Sequence, residues 1–205
     1  MAANPPARFR GQRYWARPVP GFGDPSARLL LVGLAPGAHG SNRTGRMFTG
    51  DASGDWLYEA LHRFGFASQP ESTSRDDGLT LTDCFITAAA RCAPPGNRPT
   101  PAELANCRSW LDEELALLTR VRVVVGLGRI GWEAYLKAWR RLAAPADAAS
   151  LRGFTFAHGA ERKLPDGTIV IASYHPSRQN TNTGVLTREM WYRIFRRARE
   201  AVDDG

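Results

Sequence analysis

Residues 28–34 read Arg-Leu-Leu-Leu-Val-Gly-Leu. An unbroken apolar run this short has the pattern of a strand buried on both faces, not of an amphipathic helix. Pro36 and Gly37 end the run, and a Gly-rich loop continues to Gly50. Working outward, residues 79–89, 121–127 and 168–174 predict three more strands, the last two as Val-Arg-Val-Val-Val-Gly-Leu and Thr-Ile-Val-Ile-Ala-Ser-Tyr. Helices are predicted between and after them. Trp56, Leu57, Ala60, Leu61 and Phe64 recur at helical spacing, and Gly65 closes that helix. Thr100, Pro101 and Glu103 supply an N-cap, an N1 proline and a capping-box acid for a helix to about residue 118. A further helix follows Gly128 to about residue 139, and a last one spans residues 187–202 with Met190, Trp191, Ile194, Phe195 and Ala198 inward. The Ala-rich residues 143–150 are expected to form a loop. Residues 1–27, broken by Pro18, Pro20, Gly21, Gly23 and Pro25, are expected to be an irregular arm.

Strands alternating with helices predict an α/β fold with a parallel sheet covered on both faces. The 205 residues, 43% of them hydrophobic, suffice for one core and fit a single domain over residues 1–205. No apolar run approaches a membrane span, and the N-terminus lacks the apolar core of a signal peptide. The expectation is a cytoplasmic, nucleoid-associated monomer with no membrane partner. Net charge is +7, and Lys137 and Lys163 are the only lysines among 27 basic residues. Arginine pairs with phosphate through two N–H groups and stacks on bases, so this balance supports a nucleic-acid partner without establishing one. Three cysteines, Cys84, Cys92 and Cys107, do not make a disulfide framework.

Four unusual loops leave the carboxyl ends of predicted strands: Gly-Leu-Ala-Pro-Gly-Ala-His-Gly-Ser-Asn at 33–42, Arg-Cys-Ala-Pro-Pro-Gly-Asn-Arg-Pro at 91–99, Gly-Leu-Gly-Arg at 126–129 and His-Pro-Ser-Arg-Gln-Asn at 175–180. Ligands of open α/β sheets bind along that edge. In the first loop Gly33, Ala35 and Gly37 let backbone approach a ligand closely. No Gly-Lys-Ser/Thr follows, so it is not a nucleotide-hydrolysing phosphate loop. Phe48 sits between glycines, where a base-stacking role competes with that of a hydrophobic anchor. Asp51 is either a plain helix N-cap or a carboxylate that orients water. Asn97 is either a turn residue or an amide that reads a pyrimidine edge. His175 closes a buried strand at the ligand edge, which favours a functional role; His39 and His158 have weaker cases, and His62 reads as an exposed helix residue.

Three segments in order, residues 33–54 (GLAPGAHGSNRTGRMFTGDASG), 91–104 (RCAPPGNRPTPAEL) and 173–184 (SYHPSRQNTNTG), resemble the type 5, or B-type, uracil-DNA glycosylases of the uracil-DNA glycosylase superfamily. The resemblance runs from about Tyr14 to Arg197. It implies a three-layer α/β/α sandwich around a short parallel sheet, and flipping of uracil from single- or double-stranded DNA into a pocket for hydrolysis of its glycosidic bond. By the same resemblance Phe48 stacks on the base, Asn97 reads it and His175 faces pyrimidine O2. Ser177, Arg178, Gln179 and Asn180 would enter the DNA and fill the vacated stack. Other members of the superfamily carry an acid or amide in the first motif; here, as in type 5 enzymes, it is absent, and Asp51 is the expected substitute. The absence of a lysine from these motifs argues for a monofunctional enzyme. Two rivals remain open at this point: a glycosylase acting mainly on hypoxanthine and xanthine, and a lesion-binding module without catalysis.

The resemblance also implies a [4Fe–4S] cluster held by four cysteines. Cys92 and Cys107 match one pair of ligands, but the N-terminal Cys-x-x-Cys pair is absent before Tyr14-Trp15. Either the sequence begins downstream of that pair, which the retention of Cys92 and Cys107 favours, or the protein lacks the cluster. In both cases the chain as given is expected to hold no stoichiometric iron.

Overall fold

Four short apolar strands lie side by side and parallel. They are β2 (Leu29–Gly33), β3 (Cys84–Ala88), β4 (Val123–Leu127) and β6 (Ile169–Ser173). The computed structural model describes residues 5–144, 147 and 149–204. Two edge strands complete a six-stranded sheet of order β1-β3-β2-β4-β6-β5: β1 (Phe22–Gly23) and β5 (Glu161–Lys163), both antiparallel to their neighbours. The expected parallel sheet forms the centre, and an antiparallel strand flanks it at each edge. The edges escaped notice for physical reasons. β1 is two residues of the supposedly irregular arm, and β5 is Glu-Arg-Lys, which suits an exposed edge by resisting further pairing.

Alternate residues of the parallel strands feed two cores. Leu29, Leu31, Ile86, Val123, Val125 and Ile171 face α2 (Ala52–Arg63) and the last helix, α6 (Arg188–Asp203). Leu30, Val32, Val124, Val170 and Ala172 face α4 (Arg129–Leu142) and Leu111 of α3 (Pro101–Leu117). The result is the expected α/β architecture, with helices on both faces of the sheet. Two short helices, α1 (Ser41–Thr44) and α5 (Arg178–Asn182), lie in the loops after β2 and β6. No helix among the described residues is long and apolar enough to cross a membrane. Of the Ala-rich 143–150 stretch, residues 145, 146 and 148 lie outside the described residues.

Local chemistry sets the boundaries. The capping box of α3 forms as expected: the Thr100 hydroxyl accepts from Glu103 N, and the Thr100 N–H donates to Glu103 Oε2 at 2.7 Å. β3 begins at Cys84 rather than at residue 79 because Asp83 is left-handed, with φ +57°, a conformation a strand cannot hold. Its carboxylate accepts from the Arg28 backbone N–H at 2.8 Å and pairs with the guanidinium at 2.6 Å, tying the starts of β2 and β3 together. Cys84, expected in the core, is fully buried there.

Candidate active site

In chain order the parallel strands diverge from β2, with β3 on one side and β4 on the other. This is the switch point at which such sheets open a crevice. The loop after β2 winds through α1 and returns toward the sheet at Phe48. Phe48 has φ +52°, a strained value for an aromatic residue. Three supports hold it. Tyr58 donates its hydroxyl to Met47 O at 2.7 Å. Buried Arg46 donates to Thr49 Oγ1, Ser72 Oγ and Asp77. Gly54 leaves room for the Phe48 carbonyl, which a Cβ there would meet at 1.8 Å.

Two glycines then let two rings converge. A Cβ at Gly33 would lie 2.9 Å from the Phe48 ring, and one at Gly128 would lie 3.2 Å from His175 Cβ. Phe48 and His175 stack across this gap with centroids 5.8 Å apart and planes 28° apart. Phe48 is buried in the main cluster, as a hydrophobic anchor would be, and also faces His175. His175 is half-buried, and burial pushes its pKa down to about 4. The ring is therefore neutral at neutral pH. It makes no hydrogen bond among the described residues, whereas its backbone carbonyl is fixed by Asn180 Nδ2 at 2.9 Å.

The two carboxylate oxygens of Asp51 have different surroundings. It caps α2, with Oδ1 accepting from Ser53 N at 3.0 Å and Gly54 N at 3.1 Å. Oδ2 has no such partner and points into the bend between Gly37 and Gly40, where a Gly40 Cβ would lie 1.9 Å away. Burial raises the pKa of this carboxyl, against the Gly54 and Ser53 N–H groups and the Arg178 charge, which lower it. A cavity of about 340 Å³ opens beside Asp51, walled by Arg8, Phe9, His39, Arg43, Asp55 and Arg178 among others.

The remaining predicted residues are distributed differently. Ala35 and Gly37 are half-buried in the first loop. Asn97 stands on an exposed 3-10 turn with φ +55°, and no hydrogen bond among the described residues joins it to Phe48 or His175. Residues 177–180 were expected to be a loop, but Ser177 caps the short helix α5, its Oγ accepting from Asn180 N. Arg178 and Gln179 are exposed on that helix, and Arg178 also walls the Asp51 cavity. The N-terminal turn with Arg8 and Phe9 was missed as a wall of the site. The alternation of arginine and aromatic in Ala-Arg-Phe-Arg-Gly-Gln-Arg-Tyr-Trp (7–15) was its available signal.

The cysteines do not fit a four-thiolate cluster. Cys84 is enclosed in the sheet, Cys92 is exposed after β3 and Cys107 is half-buried on α3. Burial and then the neighbouring Cys107 push the Cys92 thiol up. Among the described residues no group of three or more His, Cys, Asp or Glu side chains is placed to hold a metal ion. Two thiolates leave half of a [4Fe–4S] ligand set unfilled. Metal analysis of the purified 205-residue chain is expected to find far less than one cluster per molecule. About four irons per chain would require ligands other than these.

The Arg46–Asp77 pair, at 2.7 Å and with side chains only 4% and 10% exposed, clamps the loop that presents Phe48. Removing one partner strands the other charge, at a cost of about 3 kcal/mol. Asp77→Ala should therefore lower the urea midpoint of unfolding. An unchanged midpoint would show that the clamp is dispensable.

Residues 20–199 match the family model described as the uracil DNA glycosylase superfamily. A type-5 uracil-DNA glycosylase of Thermus thermophilus is 58% identical over 193 residues, covering 93% of this chain and 83% of the relative. One from Pyrobaculum aerophilum is 50% identical, covering 98% of this chain and 83% of the relative. One from Mycobacterium bovis is 49% identical, covering 94% and 69% respectively.

Proposed function

The chain belongs to the uracil-DNA glycosylase superfamily, and from that premise we propose that it hydrolyses the bond between uracil and deoxyribose in DNA, leaving free uracil and an abasic site. The observation that carries the chemistry is that the loops at one sheet edge present both a neutral imidazole, His175, and a carboxylate oxygen, Asp51 Oδ2, that makes no hydrogen bond among the described residues. The reaction needs both kinds of group. When the C1′–N1 bond breaks, the electron pair leaves with uracil and spreads onto O2, while the sugar becomes cationic. A neutral imidazole N–H donates to O2 without needing a proton from solvent, and it is preorganised by the close approach of Gly128 and by the Asn180 side-chain amide, which donates to the His175 carbonyl. Asp51 Oδ2 offsets the sugar's positive charge and accepts a hydrogen bond from the water that attacks C1′, taking its proton as the new C–O bond forms.

Phe48 contributes its face to the flipped base, and Asn97 reads the pyrimidine edge; because Asn97 is exposed, DNA itself buries it in this reading. Arg178 and Gln179 on α5 meet the DNA where the base has left. Lys137 and Lys163 stand on α4 and β5, outside the cavity beside Asp51, which supports simple hydrolysis over lyase chemistry. The relatives are named for uracil, which favours uracil over deaminated purines as the main substrate. We assign activity to a monomer acting on single- and double-stranded DNA. Labelled oligonucleotides carrying uracil, hypoxanthine or xanthine test this: alkali-labile strands should form fastest with uracil. Faster cleavage at hypoxanthine would reassign the substrate, and no alkali-labile product with any base would leave a binding module.

A further inference from the structure

We propose that the cavity beside Asp51 is a phosphate subsite in which Arg8, together with Arg178, binds a phosphodiester flanking the reacting nucleotide. The proposal deepens the glycosylase reading and rests on its placing the deoxyribose at Asp51. Three arginines wall the cavity, and they are not equivalent. Arg43 is engaged in holding the wall together: its Nε donates to His39 O at 2.8 Å, and its terminal nitrogens donate to Gln12 Oε1 at 3.1 Å and Gly50 O at 3.2 Å. Arg8 and Arg178 make no hydrogen bond or ion pair among the described residues, and both are exposed at the rim.

Arg8 is nevertheless aimed. Its guanidinium lies over the Phe9 ring, 4.7 Å from the centroid, with the Arg43 guanidinium 4.5 Å from the same centroid. Phe9 in turn stacks on His39 at 5.9 Å, and Tyr14 fixes His39 through a 2.9 Å hydrogen bond to Nδ1. A 3-10 turn, Ala7–Phe9, is thereby pinned over the cavity by aromatic contacts. The same cavity holds the carboxylates of Asp51 and Asp55. An anionic strand lying along them needs cations beside it, and the two guanidinium groups without hydrogen-bond or ion-pair partners among the described residues line the same cavity. The group next to a deoxyribose ring in DNA is a phosphodiester, which the planar guanidinium matches with two N–H donors.

Binding to a duplex carrying a tetrahydrofuran abasic-site analogue tests this without any chemistry. Arg8→Ala should weaken binding about tenfold and reduce the slope of log Kd against log salt by roughly 0.9, the signature of one lost phosphate contact. The specific probe is a methylphosphonate, which removes one backbone charge. Placed at the 3′ or the 5′ phosphate flanking the analogue, it should cost the wild type a similar factor at one position and cost Arg8→Ala nothing further there. Placed three nucleotides away, it should cost both proteins equally. Additive losses at both flanking positions, or wild-type affinity and slope in Arg8→Ala, would overturn the proposal. Arg8→Gln repeats the measurement with the side chain's length kept, and circular dichroism of both variants should match the wild type. Uracil excision by the wild type is measured separately. Coupling at one flanking phosphate without any excision would refute the reaction and keep the subsite, whereas excision without coupling would do the reverse.

Discussion

Asp51→Asn is expected to lower the single-turnover rate of uracil excision by roughly 100-fold or more while leaving the fold intact. The substitution separates the residue's two duties. Asparagine still offers one oxygen to Ser53 N and Gly54 N, so the cap of α2 survives. The second oxygen, which faces the Gly37–Gly40 bend, becomes an amide that neither takes a proton from water nor offsets a cationic sugar. Stability should move the other way. Burial raises the Asp51 carboxyl, so the folded chain holds this proton at higher pH than the unfolded chain does. The ionised group therefore costs stability at pH 7, a cost that fades as pH falls through the raised folded value. Asp51→Asn should accordingly melt no lower than the wild type at pH 7. Asp51→Ala, which also removes the cap, should lose about 1 kcal/mol. Wild-type excision by the Asn variant would remove Asp51 from the chemistry, and a lower melting temperature would show that the cap was lost.

The central sheet was legible because buried parallel strands announce themselves as unbroken apolar runs, and residues 28–34 and 121–127 do so without ambiguity. What was not legible follows from chemistry that leaves no periodic trace. Glu161–Lys163 forms a strand through backbone pairing alone, with no apolar face to betray it. Asp83 sets the start of β3 through a left-handed backbone that aspartate tolerates but does not advertise. The same division runs through the site. Gly33, Gly37, Phe48, Asp51 and His175 could be picked out as unusual residues in or beside the loops that follow buried strands. Which partner each glycine admits, the Phe48 ring at Gly33 and the Asp51 carboxylate at Gly37, is a tertiary fact. Arg8 and Phe9 lie far in sequence from the residues they wall in with, and only the fold brings the N-terminal turn against His39. Asn97 is the opposite case: prominent in the sequence, it stands on an exposed turn with no hydrogen bond to Phe48 or His175 among the described residues.

His175→Ala should cost the excision rate by a further roughly 100- to 1,000-fold effect of its own, the usual loss when one preorganised donor to a developing anion is removed. Two pH experiments separate an imidazole that acts as a neutral donor from one that acts as a charged one. With its pKa pushed down to about 4 by burial, His175 stays neutral from pH 5 to 8, so the wild-type rate should show no inflection near 6.5 from this residue. An inflection near 6.5 that disappears in the Ala variant would mean that the imidazolium is the working form. Stability gives the second measurement. The unfolded chain takes up this proton near 6.5 and the folded chain only near 4, so the unfolded state binds more protons between those values. Stability contributed by the neutral ring is complete above about pH 6.5 and is lost as pH falls toward 4. Wild type should therefore lose more melting temperature than His175→Ala between pH 7 and pH 4.5, even though the Ala variant starts lower for want of the ring that stacks on Phe48. Equal losses in the two proteins would place the His175 proton outside this window, and with it the claim that the fold holds the imidazole neutral for the reaction.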